Sequence, residues 1–154
     1  MRIVVDDLSG PEIAGVLQRH LDHCRAASAP ENVHALDLDG LRVPEITFWS
    51  AWDDDMILGC IALKELGKSH GEIKSMHTVS EARGRGVARA LLEHLLADAR
   101  RRGMTRLSLE TGTMDEFRAA RALYEAHGFE YCPPFGDYFE DPESCCMTLR
   151  LEAA

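Results

Sequence analysis

The sequence predicts an α/β (α+β) domain built on a mixed, mostly antiparallel sheet that carries one central parallel β-α-β crossover. Three observations lead there. Apolar runs of strand length recur along the chain; those at 46–52 and 56–66 can pair as a hairpin across Asp53-Asp54-Asp55; and a strongly amphipathic helix over 86–102 separates the runs at 72–79 and 107–111. A strand, helix, strand unit of that kind implies a right-handed parallel crossover inside an otherwise antiparallel sheet. At 154 residues the chain is expected to form one domain, 1–154, large enough to bury a full core.

Each element carries its own signal. Arg2–Val5 is a short apolar run that reads as an edge-proximal strand. Ser9 and Glu12 have the spacing of a capping box, and Pro11 is tolerated in a first helical turn. Ile13, Val16, Leu17, His20, Leu21 and Cys24 recur at helical spacing, which predicts a helix to about Ala27. Residues 28–44 hold Pro30, Asp39-Gly40 and Pro44, with a short helix expected around Val33–Leu38. In the strand expected at Glu72–Val79, reached through a turn over Gly67–Gly71, Ile73, Met76 and Val79 break strict alternation and predict a bulge. The helix Gly86–Arg102 buries Val87, Leu91 and Leu95 with Ala88, Leu92, Leu96 and Ala99; Arg100, Arg101 and Arg102 suit its C-terminal dipole, and Gly103 suits the position after its cap. Leu107–Thr111 is the next strand. Thr113–Glu116 repeats the capping-box spacing and is expected to open a helix ending at Gly128. Phe129–Cys132 and Ser144–Leu151 read as the last strands, joined by the long link Pro133–Pro142.

Composition narrows the function. With 45% hydrophobic and 28% charged residues, the chain has the balance of an ordinary soluble globular protein. No stretch approaches the ~18 apolar residues that a membrane span needs. The start MRIVVDDLSGPE turns acidic at once, unlike a secretion signal, and the five cysteines form an odd set without paired metal spacing. A cytoplasmic protein without a disulfide scaffold or a metal site is therefore expected. The net charge of -9 argues against nucleic-acid or membrane partners, because phosphate binding is driven by Lys and Arg. Arg83, Arg85 and Arg89 are a local exception, where a small polyanion could bind.

Those arginines frame the segment that carries chemistry. Arg83, Gly84, Arg85, Gly86, Val87 and Ala88 lie between a strand end and the amphipathic helix. Glycines let the backbone turn tightly, and the helix start offers unpaired N–H groups at a positive dipole end, so the segment can cradle an anion. Gly86 and Ala88 would permit close approach of a pyrophosphate, with Arg85 or Arg89 to pair with it. The alternative is a glycine-rich helix entry with solvated arginines. The P-loop reading fails because no Gly-Lys-Ser/Thr follows, and a dinucleotide fingerprint is a weak reading because the glycines do not fit G-x-G-x-x-G.

In that context Arg83-x-x-Gly86-x-Ala88 resembles the pyrophosphate motif Q/R-x-x-G-x-G/A of the acetyl-CoA-dependent N-acetyltransferase (GNAT) superfamily. Tyr124-x-x-x-Gly128-Phe129 resembles its second signature, and the likeness covers roughly 45–151. The resemblance implies the GNAT fold, with helices on both faces of the sheet, and acetyl-CoA as co-substrate. It implies that Met76, His77 and Thr78 pair with the pantetheine arm, that Gly84 through Arg89 hold the pyrophosphate, and that Tyr124 protonates the departing thiolate. Many relatives carry Asn seven residues before that tyrosine; here the position is Phe117. Glu110 resembles a glutamate that some relatives use as base.

The chemistry supports the tyrosine independently. Amine acyl transfer expels a thiolate whose conjugate acid has a pKa near ~8.5 by analogy with cysteine, and a phenol of pKa ~10 stays protonated to serve it. The attacking amine must lose a proton, for which Glu110, Glu72 and His77 are candidate bases; Glu110 sits near the C-terminal end of a parallel strand, where open sheets place ligands. The link 133–142 is longer than most hairpin connections and rich in acids and aromatics, so Phe135, Asp137 and Tyr138 are expected to contact the acceptor, with a solvated turn as the alternative. Relatives shape the acceptor pocket with the region holding His34. Together these segments resemble the bacterial YsnE-like branch of the superfamily. Trp49 and Trp52 could stack a ligand or lie in the core. The expected function is transfer of an acetyl group to a small-molecule amine; acetylation of protein Nα or lysine amines, or acyl-CoA binding without turnover, are the alternatives. A homodimer is compatible with all three.

Overall fold

The computed structural model describes residues 1–27, 38–67, 69–136 and 138–151. In chain order it has β1 (Arg2–Val5), α1 (Pro11–Ala27), α2 (Leu38–Leu41), β2 (Ile46–Asp53), β3 (Met56–Gly67), β4 (His70–Thr78), α3 (Val87–Arg101), β5 (Arg106–Gly112), α4 (Arg118–Ala126), β6 (Glu130–Cys132) and β7 (Ser144–Arg150). The seven strands form one sheet in the order β1-β2-β3-β4-β5-β7-β6. Neighbours are antiparallel throughout except β4 and β5, the parallel pair that α3 connects.

Helices cover both faces. Trp49 pairs with Ile61 and packs edge-on against His94 of α3. His77 pairs with Cys60 and packs against His20 of α1. Ile61 and Cys60 are consecutive on β3, so they point to opposite sides of the sheet. α3 follows its apolar stripe: Leu91, Leu92, Leu95 and Ala99 are fully buried in a core shared with Trp49, Leu63, Leu107 and Met147. Trp49 is thus a core residue. Trp52 is partly exposed and donates its indole N–H to Ser50 Oγ at 2.8 Å.

One local distortion of strand geometry shapes the site. Cys60 pairs with His77 and Ala62 with Lys74, so Ser75 and Met76 together oppose the single residue Ile61. Ser75 absorbs the extra length with φ 53. That is the expected bulge, and it turns β4 away from its neighbour. Accordingly β4 and β5 pair only from His70–Arg106 to Ile73–Leu109, although both strands continue. Beyond that point the sheet opens.

Some elements differ from their sequence signals. Neither capping box forms: Ser9 Oγ donates to Asp7 Oδ1 at 2.6 Å, and Thr113 Oγ1 donates to the Pro142 carbonyl at 2.7 Å. Each hydroxyl is turned toward an acceptor outside its helix start, where the box would have it accept from a backbone N–H. As a result α1 simply opens on Pro11, while α4 begins at Arg118 behind a short 3₁₀ turn, Asp115–Phe117. β4 starts at His70, two residues earlier than expected. Of the short helix expected around Val33–Leu38, residues 33–37 lie outside the described residues, and α2 occupies Leu38–Leu41.

Candidate active site

The opening between β4 and β5 is the mouth of a cleft of about 670 Å³. It is lined by β4 from Glu72 to Thr78, by Arg83, Gly84 and the helix start Gly86–Arg89, and by the end of β5, α1 and α4. Two halves differ in chemistry.

One half suits an extended polyanion. β4 beyond Ile73 has no partner on its β5 side, so its backbone polar groups face the cleft at Met76, His77 and Thr78. Below them the chain turns on Gly84 (φ 78) and Gly86 (φ 79), the left-handed region that strains any residue with a Cβ. Open space surrounds both glycines. Gly86 is the N-cap of α3 and provides no side-chain cap, which leaves first-turn N–H groups to an external acceptor. Arg83 and Arg89 line the cleft. Arg85 does not: its guanidinium bonds Asp53 Oδ2 at 3.1 Å, half-exposed, so its side chain is directed to β2. Val87 is buried against the core, leaving only its backbone for a ligand.

The other half is acidic and hydrogen-bonded. Glu110 lines it where β5 leaves β4, together with Glu116 and Glu143. Glu72 is 4% exposed. Its Oε2 accepts from Lys74 Nζ at 3.0 Å and from the Tyr138 hydroxyl at 2.5 Å, and Lys74 also donates to that hydroxyl at 2.9 Å. Burial, then the Glu72 charge, raises the Tyr138 phenol far above its ordinary value, so it remains a donor. Phe135 stands behind it, packed on Tyr138 at 5.2 Å and on His70 at 6.0 Å, and does not line the cleft. Asp137 and His34 lie outside the described residues.

Tyr124 stands between the halves. It is 5% exposed, and its hydroxyl contacts Met76 Sδ at 3.6 Å across the cleft. Burial raises this phenol well above the ordinary tyrosine value. A local motif sets its position. Gly128 has φ 94; its N–H bonds the Glu125 carbonyl at 3.0 Å, and the Phe129 N–H bonds the Tyr124 carbonyl at 3.1 Å. This is the doubly bonded glycine helix end, completed by ring contact of Phe129 on Tyr124 at 5.6 Å. The spacing Tyr-x-x-x-Gly-Phe is therefore the device that holds the phenol.

A third group comes from α1. His20 Nδ1 lies 3.3 Å from His77 Nδ1, His23 packs on Phe117 at 5.2 Å, and Cys24 Sγ is 3.9 Å from His20 Nε2. Burial first, then the neighbouring histidines, lowers His20 to about 3. Burial first, then His23 and Arg83, lowers His77 to about 4. Burial, with a smaller push from Glu110, raises the Cys24 thiol to about 11. Helical periodicity had placed His20 and Cys24 in an apolar stripe. The missed signal was three polar or reactive side chains at i, i+3 and i+4 on that face, and Lys74, two residues from Glu72 in a strand, was missed likewise.

A parallel pair split by a bulge, an anion cradle at a helix start and a buried phenol between them define an acyltransferase of the GNAT type. The sequence profile of the acetyltransferase (GNAT) family matches residues 15–129, and the chain belongs to this family. It is 52% identical to the uncharacterized N-acetyltransferase YsnE of Bacillus subtilis over 98% of this chain and 100% of that protein. It is 45% identical to the uncharacterized N-acetyltransferase YedL of Escherichia coli over 97% of this chain and 94% of that protein. A Klebsiella pneumoniae structure assigned as an acyl-CoA N-acyltransferase superposes with a TM-score of 0.80 at 25% identity, covering 98% of this chain and 97% of the other. The chain is an acetyl-transfer enzyme. Among the described residues no helix is long and apolar enough to cross a membrane.

Proposed function

We propose that the enzyme moves an acetyl group from acetyl-CoA to the amine of a small cationic acceptor, by direct attack with Tyr124 as general acid. The observation that carries this reading is the buried Tyr124 hydroxyl facing Met76, at the junction of a cationic and an acidic half-cleft. Arg83, Arg89 and the amides at the start of α3 suit the phosphates of coenzyme A, and the unpaired edge at 76–78 suits its amide-bearing arm. Acetyl-CoA supplies the activated acyl group. Tyr124 keeps its proton in the resting cleft and gives it to a leaving thiolate. Cys24, the thiol lining the cleft, is held protonated, which disfavours a covalent acyl-enzyme and favours direct attack.

The acidic half supports a cationic acceptor, since Glu72, Glu110, Glu116 and Glu143 outnumber Lys74 there. Glu110 is the preferred base. Glu72 is engaged by Lys74 and Tyr138, and His77, lowered to about 4, is a weak base. In this reading Tyr138 is the described residue of the 133–142 link that touches the acceptor. Thiol release from acetyl-CoA with a panel of amines, amino acids and peptides tests it. A small cationic amine should give the fastest turnover; release only with peptides would assign the enzyme to protein acetylation instead.

A further inference from the structure

Two thiols face each other across the neck of the 133–142 link. β6 and β7 are antiparallel, and Cys132, the last residue of β6, is in register with Cys146 of β7. Residues directly opposed in such a pair have Cα atoms about 4.5–5.5 Å apart and side chains on one face, within the span that a disulfide bridges. β6 is a three-residue edge strand that runs into Pro133 and Pro134, so its end is free to make the small approach a bridge needs. Cys132 is partly exposed and Cys146 is buried. Both border a second cavity of about 510 Å³, which shares Glu110, Tyr138 and Ser144 with the cleft. A chain of contacts leads from this pair to the acceptor side. Burial raises the Cys146 thiol to about 11, against a smaller pull from the backbone N–H of Phe135 that faces it. The Phe135 ring packs on Tyr138, and Tyr138 donates to Glu72.

We propose that Cys132 and Cys146 form a reversible disulfide under a hydroperoxide oxidant, and that this bridge resets the link over the acceptor half of the cleft. The effect on acceptor use rests on the acyl-transfer reading above; the pairing of the thiols does not. Of the two, Cys132 is the more exposed, so peroxide reaches it first. Its sulfur attacks one peroxide oxygen, the O–O bond breaks, and water leaves with the thiol proton, giving a sulfenic acid. The Cys146 sulfur then attacks the sulfenic sulfur, the S–O bond breaks, and a second water leaves with the Cys146 proton. The two thiols have together lost two electrons, and one peroxide has gained them. Burial raises the Cys132 thiol as well, so at neutral pH the reaction is slow. The same burial favours keeping the bridge, because neither sulfur gains a stabilised thiolate on reduction. Turning toward Cys132 takes the Cys146 sulfur away from the Phe135 N–H, and Tyr138 shifts with the Phe135 ring.

Peptide mapping without reductant, after hydrogen peroxide treatment and blocking of free thiols, tests the pairing. Cleavage after Glu130, Glu140 and Glu143 separates the segment holding Cys132 from the one holding Cys145 and Cys146. Wild type and Cys145→Ser should yield the two segments linked, and dithiothreitol should release them. Cys132→Ser and Cys146→Ser should yield no link. Oxidised wild type should show an acceptor KM raised several-fold at unchanged acetyl-CoA affinity, reversed by dithiothreitol. Peroxide-treated Cys146→Ser should keep the KM of its untreated form. A link lost in Cys145→Ser but kept in Cys146→Ser would assign Cys145 as the partner and overturn the proposal. So would sulfinic acid at Cys132 with no linked segments, or a bridge that leaves the acceptor KM unchanged. Wild type that turns over no amine would remove the acyl-transfer reading, and the linked segments would still decide the pairing.

Discussion

At the level of single residues, the cleft is defined by which side chains keep their protons. The phenol of Tyr124 and the thiol of Cys24 both line the cleft, and burial holds both protonated. For the tyrosine this keeps the hydroxyl proton in place at rest; for the cysteine it withholds a nucleophile. Incubation with acetyl-CoA should therefore leave no acetyl adduct on Cys24 by mass spectrometry, and Cys24→Ser should retain turnover within a few-fold. A stable adduct that vanishes in the serine variant would establish a ping-pong route. The tyrosine was legible in the sequence because its whole support is local, five residues of a helix end. Gly128→Ala tests that support. At φ 94, with Leu149 Cδ1 3.3 Å from an added Cβ, the change should cost about 1–2 kcal/mol in denaturation and lower kcat as the Tyr124 ring shifts. The same stability with intact activity would show that the helix end does not position the phenol. Arg85 was less legible, because its ion pair with Asp53 depends on a strand distant in sequence.

At the scale of elements, the bulge in β4 and Tyr138 of the 133–142 link both border the cleft. Broken alternation exposed the bulge in the sequence, but not the Ser75 hydroxyl that it leaves without a hydrogen-bond partner among the described residues. The length and composition of the link singled it out, yet Phe135 and Tyr138 have the same pattern value and different places: Tyr138 lines the cleft and Phe135 packs on it. Only packing sends one behind the other. Tyr138→Phe removes the hydroxyl shared by Glu72 and Lys74 and little volume. It should raise the acceptor KM several-fold and leave acetyl-CoA affinity unchanged in steady-state kinetics with each substrate varied. An effect confined to acetyl-CoA would place the link on the cofactor side. Ser9 and Thr113 have capping-box spacing too, but their hydroxyls turn to acceptors at Asp7 and Pro142 instead of receiving a helix N–H.

For the whole molecule, strand order along the sequence was readable, whereas the insertion of β7 between β5 and β6 depends on non-local pairing that no local pattern carries. Net charge was readable too, but not its division within one cleft. The histidine cluster links α1 to β4 and makes stability depend on pH. In the unfolded chain His20 and His77 protonate near their ordinary 6.5; in the folded protein they stay neutral until about 3 and 4. The unfolded state thus binds more protons in between, so this stability is fully present above about pH 6.5 and is lost as pH falls toward 4. Thermal melts should decline across that window, by on the order of 2 kcal/mol per histidine near pH 5. His20→Gln should flatten the decline; an unchanged slope would mean that other groups carry it.

In the proposed reaction Tyr124 protonates the sulfur that leaves. Tyr124→Phe keeps the ring and deletes the proton, so rapid-mixing turnover together with acetyl-CoA calorimetry on both proteins tests it most directly. The account predicts a fall in the acyl-transfer rate of ~10²–10⁴, with acetyl-CoA affinity within a few-fold of wild type. A phenylalanine variant that transfers acetyl at the wild-type rate would contradict it.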